Sequence, residues 1–271
     1  MATRTRTAGS ARTRSPVAGV LAMALAAVLG SSIWAYAAGE SEPGPGPTDH
    51  ALDITEEDGM DETVAAADEN GGGGVRSARL EEAGLAVPSG WHEAGVRTGS
   101  HDGEKVTVTR YQPTEEVRLG GPHVSVVRGE DGRVVGYTAL DPDAHNDPRD
   151  LPGAEQARQA AYSWLGRTDD DYLRGLTEQW VDRHDETVVD EDGREHVIPG
   201  VKVKTRHEDG RYAWVIVGAD SRVVTFERDV TWDTAARRRA TQMWLHDTWI
   251  AALEGGGEQP PPPAALADGA A

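Results

Sequence analysis

His123–Tyr137 reads HVSVVRGEDGRVVGY, and Tyr212–Phe226 reads YAWVIVGADSRVVTF. The two stretches align without a gap, and each precedes a segment of helical pattern containing Trp-Leu, at Trp164-Leu165 and at Trp244-Leu245. Outward from this pair the turn signals repeat too. Asp102-Gly103, Gly120-Gly121 and Asp131-Gly132 are answered by Asp192-Gly193, Asp209-Gly210 and Asp220-Ser221, at an offset of about 90 residues. Asp-Gly suits the positive-φ positions of a two-residue hairpin turn. The segments between alternate or are β-branched: Val106/Val108, Val124/Val126, Val134/Val135, Val201/Val203, Val215/Val217 and Val223/Val224. A period of two marks strands. Trp91 precedes the first turn much as Trp180 precedes its counterpart.

The expected fold class is therefore α+β: two tandem units, each an antiparallel four-stranded β-meander with a following helix packed on one face. The first unit spans 76–166 and the second 167–253. Ala157, Ala160, Ala161, Trp164 and Leu165 form one apolar helical stripe, with Gly166 placed as its C-terminal cap. The second helix is expected over Thr234–Leu253, with Leu245, Trp249 and Ala252 on its far side. Arg237–Arg239 then fall on its first turns, where cations oppose the helix dipole, so they are expected to meet carboxylates such as Asp229 or Asp233. Trp249, off the main stripe, is a candidate for an exposed contact or for packing between units. Ser77–Leu85 reads as a short helix stopped at Pro88-Ser89-Gly90.

The flanks differ in composition. Residues 1–37 read as a secretory signal, with Arg4, Arg6, Arg12 and Arg14 ahead of the apolar Val17–Leu29 and small residues at Ala35 and Ala37. An uncleaved membrane anchor is the alternative, and both place the rest outside the cell. Residues 38–75 form an acidic, Gly/Pro-rich linker: positions 40–69 hold eleven acids and no Lys or Arg. Residues 254–271, with four consecutive prolines, read as an extended, disordered tail.

Charge and residue usage bound the function. The chain of 271 residues carries a formal net charge of −19 and no cysteine. Disulfides, thiolate catalysis and thiolate metal sites are excluded, and the acidic balance disfavours nucleic acid as a partner. No G-x-S-x-G, P-loop, G-x-G-x-x-G or H-E-x-x-H occurs.

Two stretches present in one half but not the other are candidate sites. Lys202, Lys204 and Arg206 share one strand face and hold two of the chain's three lysines, a cationic stripe for an anionic partner such as a cell-wall polymer or the chain's own acidic segment. Asp141, Asp143 and Asp147, with His145 between them, stand at the first, third and seventh positions of a calcium-type loop, although Pro152 occupies the closing twelfth. Calcium is the one cofactor this suggests.

VIVGADSRVVTF at Val215–Phe226 and EQARQAAYSWL at Glu155–Leu165 resemble the strand–turn–strand end and the accompanying helix of PepSY-like domains. The resemblance covers about Pro152–Asp229, and Trp91–Tyr137 through the internal repeat. It implies a secreted, non-catalytic module that binds or restrains an extracellular protein or peptide, such as a protease, and offers no catalytic residues. The alternative is an extracellular hydrolase cutting cell-wall polymer or glycan through a carboxylate pair.

Overall fold

A computed structural model describes residues 80–81 and 83–268. The expected signal at 1–37, the linker at 38–75, and positions 77–79 of the short helix lie outside the described residues.

The chain is mostly antiparallel sheet with few helices. The strands in order are β1 His92–His101, β2 Glu104–Gln112, β3 His123–Gly129, β4 Val134–Leu140, β5 Leu176–Arg183, β6 Glu186–Val189, β7 Glu195–Ile198, β8 Val201–His207, β9 Tyr212–Val217 and β10 Val223–Val230. Two-residue strands β11 Trp232–Asp233 and β12 Arg238–Arg239 follow. The helices are α1 Ala154–Thr168, α2 Asp170–Arg174 and α3 Asp247–Leu253. One eight-stranded sheet has the order β1-β2-β3-β4-β10-β9-β8-β5.

The Asp-Gly turns act as their chemistry dictates. Asp102 at φ 54° and Gly103 at φ 86° close the β1–β2 hairpin. Asp192-Gly193 is an exception to the expected pairing: it closes a separate β6–β7 hairpin inserted between β5 and β8. The insertion leaves β5 to pair only with β8 and places it at the sheet's end.

In the middle of the sheet β4 meets β10 in register Gly136↔Glu227, Tyr137↔Phe226 and Thr138↔Thr225. The two threonine hydroxyls hydrogen-bond at 2.8 Å.

Alternation along each strand gives the sheet two buried faces. The first carries Val124, Val126, Tyr137, Val203, Val215 and Phe226 under the α1 stripe of Ala157, Ala161, Trp164 and Leu165. Trp164 meets Phe226 edge-on at 4.8 Å and donates to the Ala83 carbonyl at 2.7 Å, which ties Ala83 beside α1. The helix packs on β5, β8 and β9. It therefore covers strands that follow it, whereas the sequence reading laid each helix on the strands before it. Gly166 lies inside the helix, which runs on to Thr168, and not at its cap.

The second face is closed by the C-terminal segment and by the β6–β7 hairpin. Met243, Trp244, Leu245, Trp249 and Ile250 pack on Val106, Val108, Val127 and Val135. Val188 and Ile198 of the hairpin pack on Leu140, Trp214, Ile216 and Val224.

The long second helix is not formed. Only Asp247–Leu253 is helical, while Arg238–Arg239 pairs as a strand with Trp232–Asp233. Asp233 caps a turn by accepting from the amides of Ala235 and Ala236, and Arg237 sits at φ 54°. Arg239 meets neither Asp229 nor Asp233 but Glu227, a buried carboxylate that a helix beginning at Thr234 would leave unpaired. Trp249 is core, 1% exposed and edge-on to Trp244 at 5.0 Å.

The proline-rich segment, expected as an extended tail, folds back over α3. Pro263 accepts from Arg239 N at 2.8 Å, Leu266 accepts from Trp249 Nε1 at 3.1 Å, and Ala265 and Ala267 are buried. Prolines lose little conformational freedom on ordering, so few contacts suffice to hold the segment.

A Cβ on Gly99 would stand 2.2 Å from Trp244 Cζ2. Gly99→Ala is therefore expected to cost about 1–3 kcal/mol, the reverse of the gain that alanine brings to an open strand position. Urea denaturation decides; a midpoint at or above that of the parent protein would show that Trp244 does not seat on β1.

Candidate functional site

Register places the basic strand within a patch. Lys202 stands between Asp182 and Ile216, Lys204 between Trp180 and Trp214, and Arg206 beside Tyr212. All three bases lie on the sheet's second face, as alternation requires.

The stripe nevertheless splits in two. Lys202 is only 3% exposed, with its ammonium 4.1 Å from the centre of the Trp214 ring. Burial, with Lys204 adding to it, brings its pKa down to about 7, against the pull of Glu186 and Glu227. A lysine in that position belongs to the interior and does not present a surface to an anionic polymer. Lys204 is half-buried, 5.7 Å from the Trp180 ring and 4.7 Å from that of Tyr212, and burial lowers its pKa. Arg206 is exposed, 5.8 Å from Tyr212, and donates to the Gly210 carbonyl at 3.2 Å. Among the described residues neither Lys204 nor Arg206 forms an ion pair with a carboxylate.

What reaches solvent is a ladder of alternating ring and cation: Trp180, Lys204, Tyr212, Arg206. Trp180 is 37% exposed on the edge strand. Sequence reasoning missed Trp180 and Tyr212 as members. The extra residue Gln179 makes a bulge between Glu178 and Trp180, so simple alternation from the strand's start points Trp180 to the wrong face.

The Asp141–Asp147 loop is held by hydrogen bonds and ion pairs of its own. Asp141 accepts from the Asp143 amide at 2.9 Å, and Asn146 donates to the Asp141 carbonyl at 2.9 Å. Asp147 caps the short turn Pro148–Asp150 and pairs with Arg149, while His145 pairs with Asp150 at 2.7 Å. Arg222 binds the His145 carbonyl and, at 2.5 Å, Asn146 Oδ1. Asp141 thus accepts within the loop and Asp147 pairs with Arg149, and no group of three metal-ligating side chains converges among the described residues. An open depression of ≈ 550 Å³ beside this loop is lined by polar residues such as Arg149, Gln156, Gln159 and Asp220 together with Leu151, Pro152 and Ala160.

A second polar system lies under the cover. Arg239 forks onto Glu227, 2.9 Å at one oxygen, and also donates to the Thr241 carbonyl at 2.8 Å. Arg110 forks onto Asp247 at 2.7 and 2.8 Å, and the Gly120 amide supplies a further donor to the same carboxylate. His184 bonds Glu186 at 3.1 Å. For Glu227 and Asp247 burial works to raise the carboxyl pKa, but the attached arginines and nearby histidines hold both below the usual range. Burial lowers the pKa of His101, His123 and His246. Both oxygens of Glu227 and of Asp247 are engaged, which leaves neither free to move a substrate proton.

None of the described helices is long and apolar enough to cross a membrane. The chain matches no protein-family model and no curated protein.

Proposed function

We propose that the protein is a secreted, non-catalytic interaction module of the PepSY-like kind, with two four-stranded units fused in one sheet, and that it binds an extracellular protein or peptide. The observation that carries this reading is the ladder of Trp180, Lys204, Tyr212 and Arg206 beside the unpaired edge of β5. A free edge offers backbone donors and acceptors to an extended peptide, and rings interleaved with cations suit acidic side chains along it. Engagement of the buried carboxylates by arginine speaks against the hydrolase alternative.

The register between β4 and β10 supports the fused-unit reading. The offset that carries Tyr137 onto Phe226 carries Gly136 onto Thr225 and Thr138 onto Glu227. Gly136 faces Glu227 and Thr138 faces Thr225, so the pairing is symmetric under exchange of the halves.

The test is fluorescence polarisation with a labelled, extended peptide of alternating Glu and Val, together with a turnover assay on cell-wall glycan. Binding is expected to weaken about tenfold, or ~1.4 kcal/mol, in Trp180→Ala and in Lys204→Ala/Arg206→Ala, and to survive Glu186→Gln. Glycan turnover that Glu186→Gln abolishes would establish the hydrolase instead.

A further inference from the structure

We infer that the chain's own acidic segment, residues 53–69, docks on the ladder of Trp180, Lys204, Tyr212 and Arg206 and competes there with the external partner. This rests on the interaction-module reading for what the docking regulates, but the contact itself stands on separate observations.

Charge complementarity is the first. Residues 53–69 hold eight acids and no Lys or Arg. The ladder holds two cations that no described carboxylate pairs, in a chain of net charge −19.

Reach is the second. Ala83 is fixed beside Trp164 of α1, and α1 lies on β5, β8 and β9, the strands whose other face carries the ladder. The docking segment therefore has to run from above β10 past β9 and β8 and round the outer edge of β5, which no described strand occupies. Residues 70–79 between Glu69 and Leu80 span up to about 35 Å when extended, against roughly 15 Å across the strand spacings from β10 to β5 and roughly 10 Å for a layer of packing. Tethering at that distance gives an effective concentration in the millimolar range, so a weak contact suffices to occupy the site.

Trp180 reports the contact. The full chain is compared with one in which the eight acids of 53–69 are changed to Asn and Gln, leaving residues 80–268 untouched. Iodide quenching is measured in each against a Trp180→Phe version, so that the difference belongs to Trp180. The quenching constant of Trp180 is expected to rise roughly two-fold on neutralisation, and by a similar factor when acrylamide quenching of the parent chain is measured in ~0.5 M NaCl, which screens surface charge. A synthetic peptide of residues 53–69 added to the neutralised chain restores protection, and fails to do so when Lys204→Ala and Arg206→Ala are also present. The neutralised chain should also bind the alternating Glu/Val peptide several-fold more tightly. Trp180 quenching unchanged by neutralisation and by the added peptide would overturn the inference. Protection of Trp180 by the segment, combined with no binding of the Glu/Val peptide even to the neutralised chain, would uphold the contact and remove the partner reading.

Discussion

Arg239→Met is expected to lower the unfolding free energy by about 3–5 kcal/mol, measured by urea denaturation near neutral pH. Arg239 is 5% exposed and Glu227 2%. The guanidinium satisfies both carboxylate oxygens and two main-chain carbonyls, of Thr241 and Gln242. Methionine fills a similar volume but leaves a buried carboxylate and two carbonyls with no donor. The loss is a large share of the 5–15 kcal/mol that holds a domain of ordinary stability. Replacing Glu227 by leucine in the same variant removes the stranded charge and should restore much of the loss, since a well-packed apolar pair serves as well as a buried ion pair. A double variant no more stable than Arg239→Met would show that Arg239 acts through the carbonyls instead.

Lys202→Met is expected to work in the opposite direction, raising stability at pH 6 by on the order of 3 kcal/mol. Lys202 is charged in the unfolded chain up to the ordinary lysine value of 10.5, whereas in the folded protein burial brings its pKa down to about 7. Between these values the unfolded state binds more protons, so the parent protein gains stability as pH rises through the window. Below about 7 the full cost of burying the ammonium is present; above 10.5 it is gone. Methionine removes the cost and keeps a linear side chain over the Trp214 ring. The stability-versus-pH curve of the variant should be flatter than the parent's between pH 7 and 10. A variant less stable than the parent at pH 6 would mean that attraction from Glu186 and Glu227 outweighs desolvation.

The strands were largely legible from residues. Period-two alternation and Asp-Gly turns are local signals, and Val124, Val126, Val215 and Val217 occupy the core they imply. The helix stripe Ala157–Leu165 was legible for the same reason. Which strands α1 would cover was not, because helix-to-sheet pairing depends on the handedness of a connection and not on any residue in it. The Thr234–Leu253 segment has helical periodicity but breaks at Arg237–Arg239, where a contact with Glu227 outweighs local preference. That contact is invisible in sequence, since Glu227 reads as one more acid in an acidic chain. The site was half legible. Strand alternation put Lys202, Lys204 and Arg206 on one face, but the inward position of Lys202 is set by the β6–β7 insertion and by Trp214. The Asp141–Asp147 loop has the spacing of an oxygen-ligand loop, and Arg149 takes up the Asp147 oxygens while a loop amide donates to Asp141.

The C-terminal cover has a kinetic consequence. Trp244 donates to the Ser100 carbonyl across 144 residues of sequence, and Arg97 reaches Glu254 across 157. As the chain emerges from the N-terminal side, β1 to β4 can pair early, but Val106, Val108, Val127 and Val135 stay wet on one face until Met243–Ala267 arrives. Closing loops of that span is slow, and an apolar sheet face left open meanwhile invites association with other chains. The charged groups Arg110 and Glu227 on that same face discourage such pairing until Asp247 and Arg239 arrive to neutralise them.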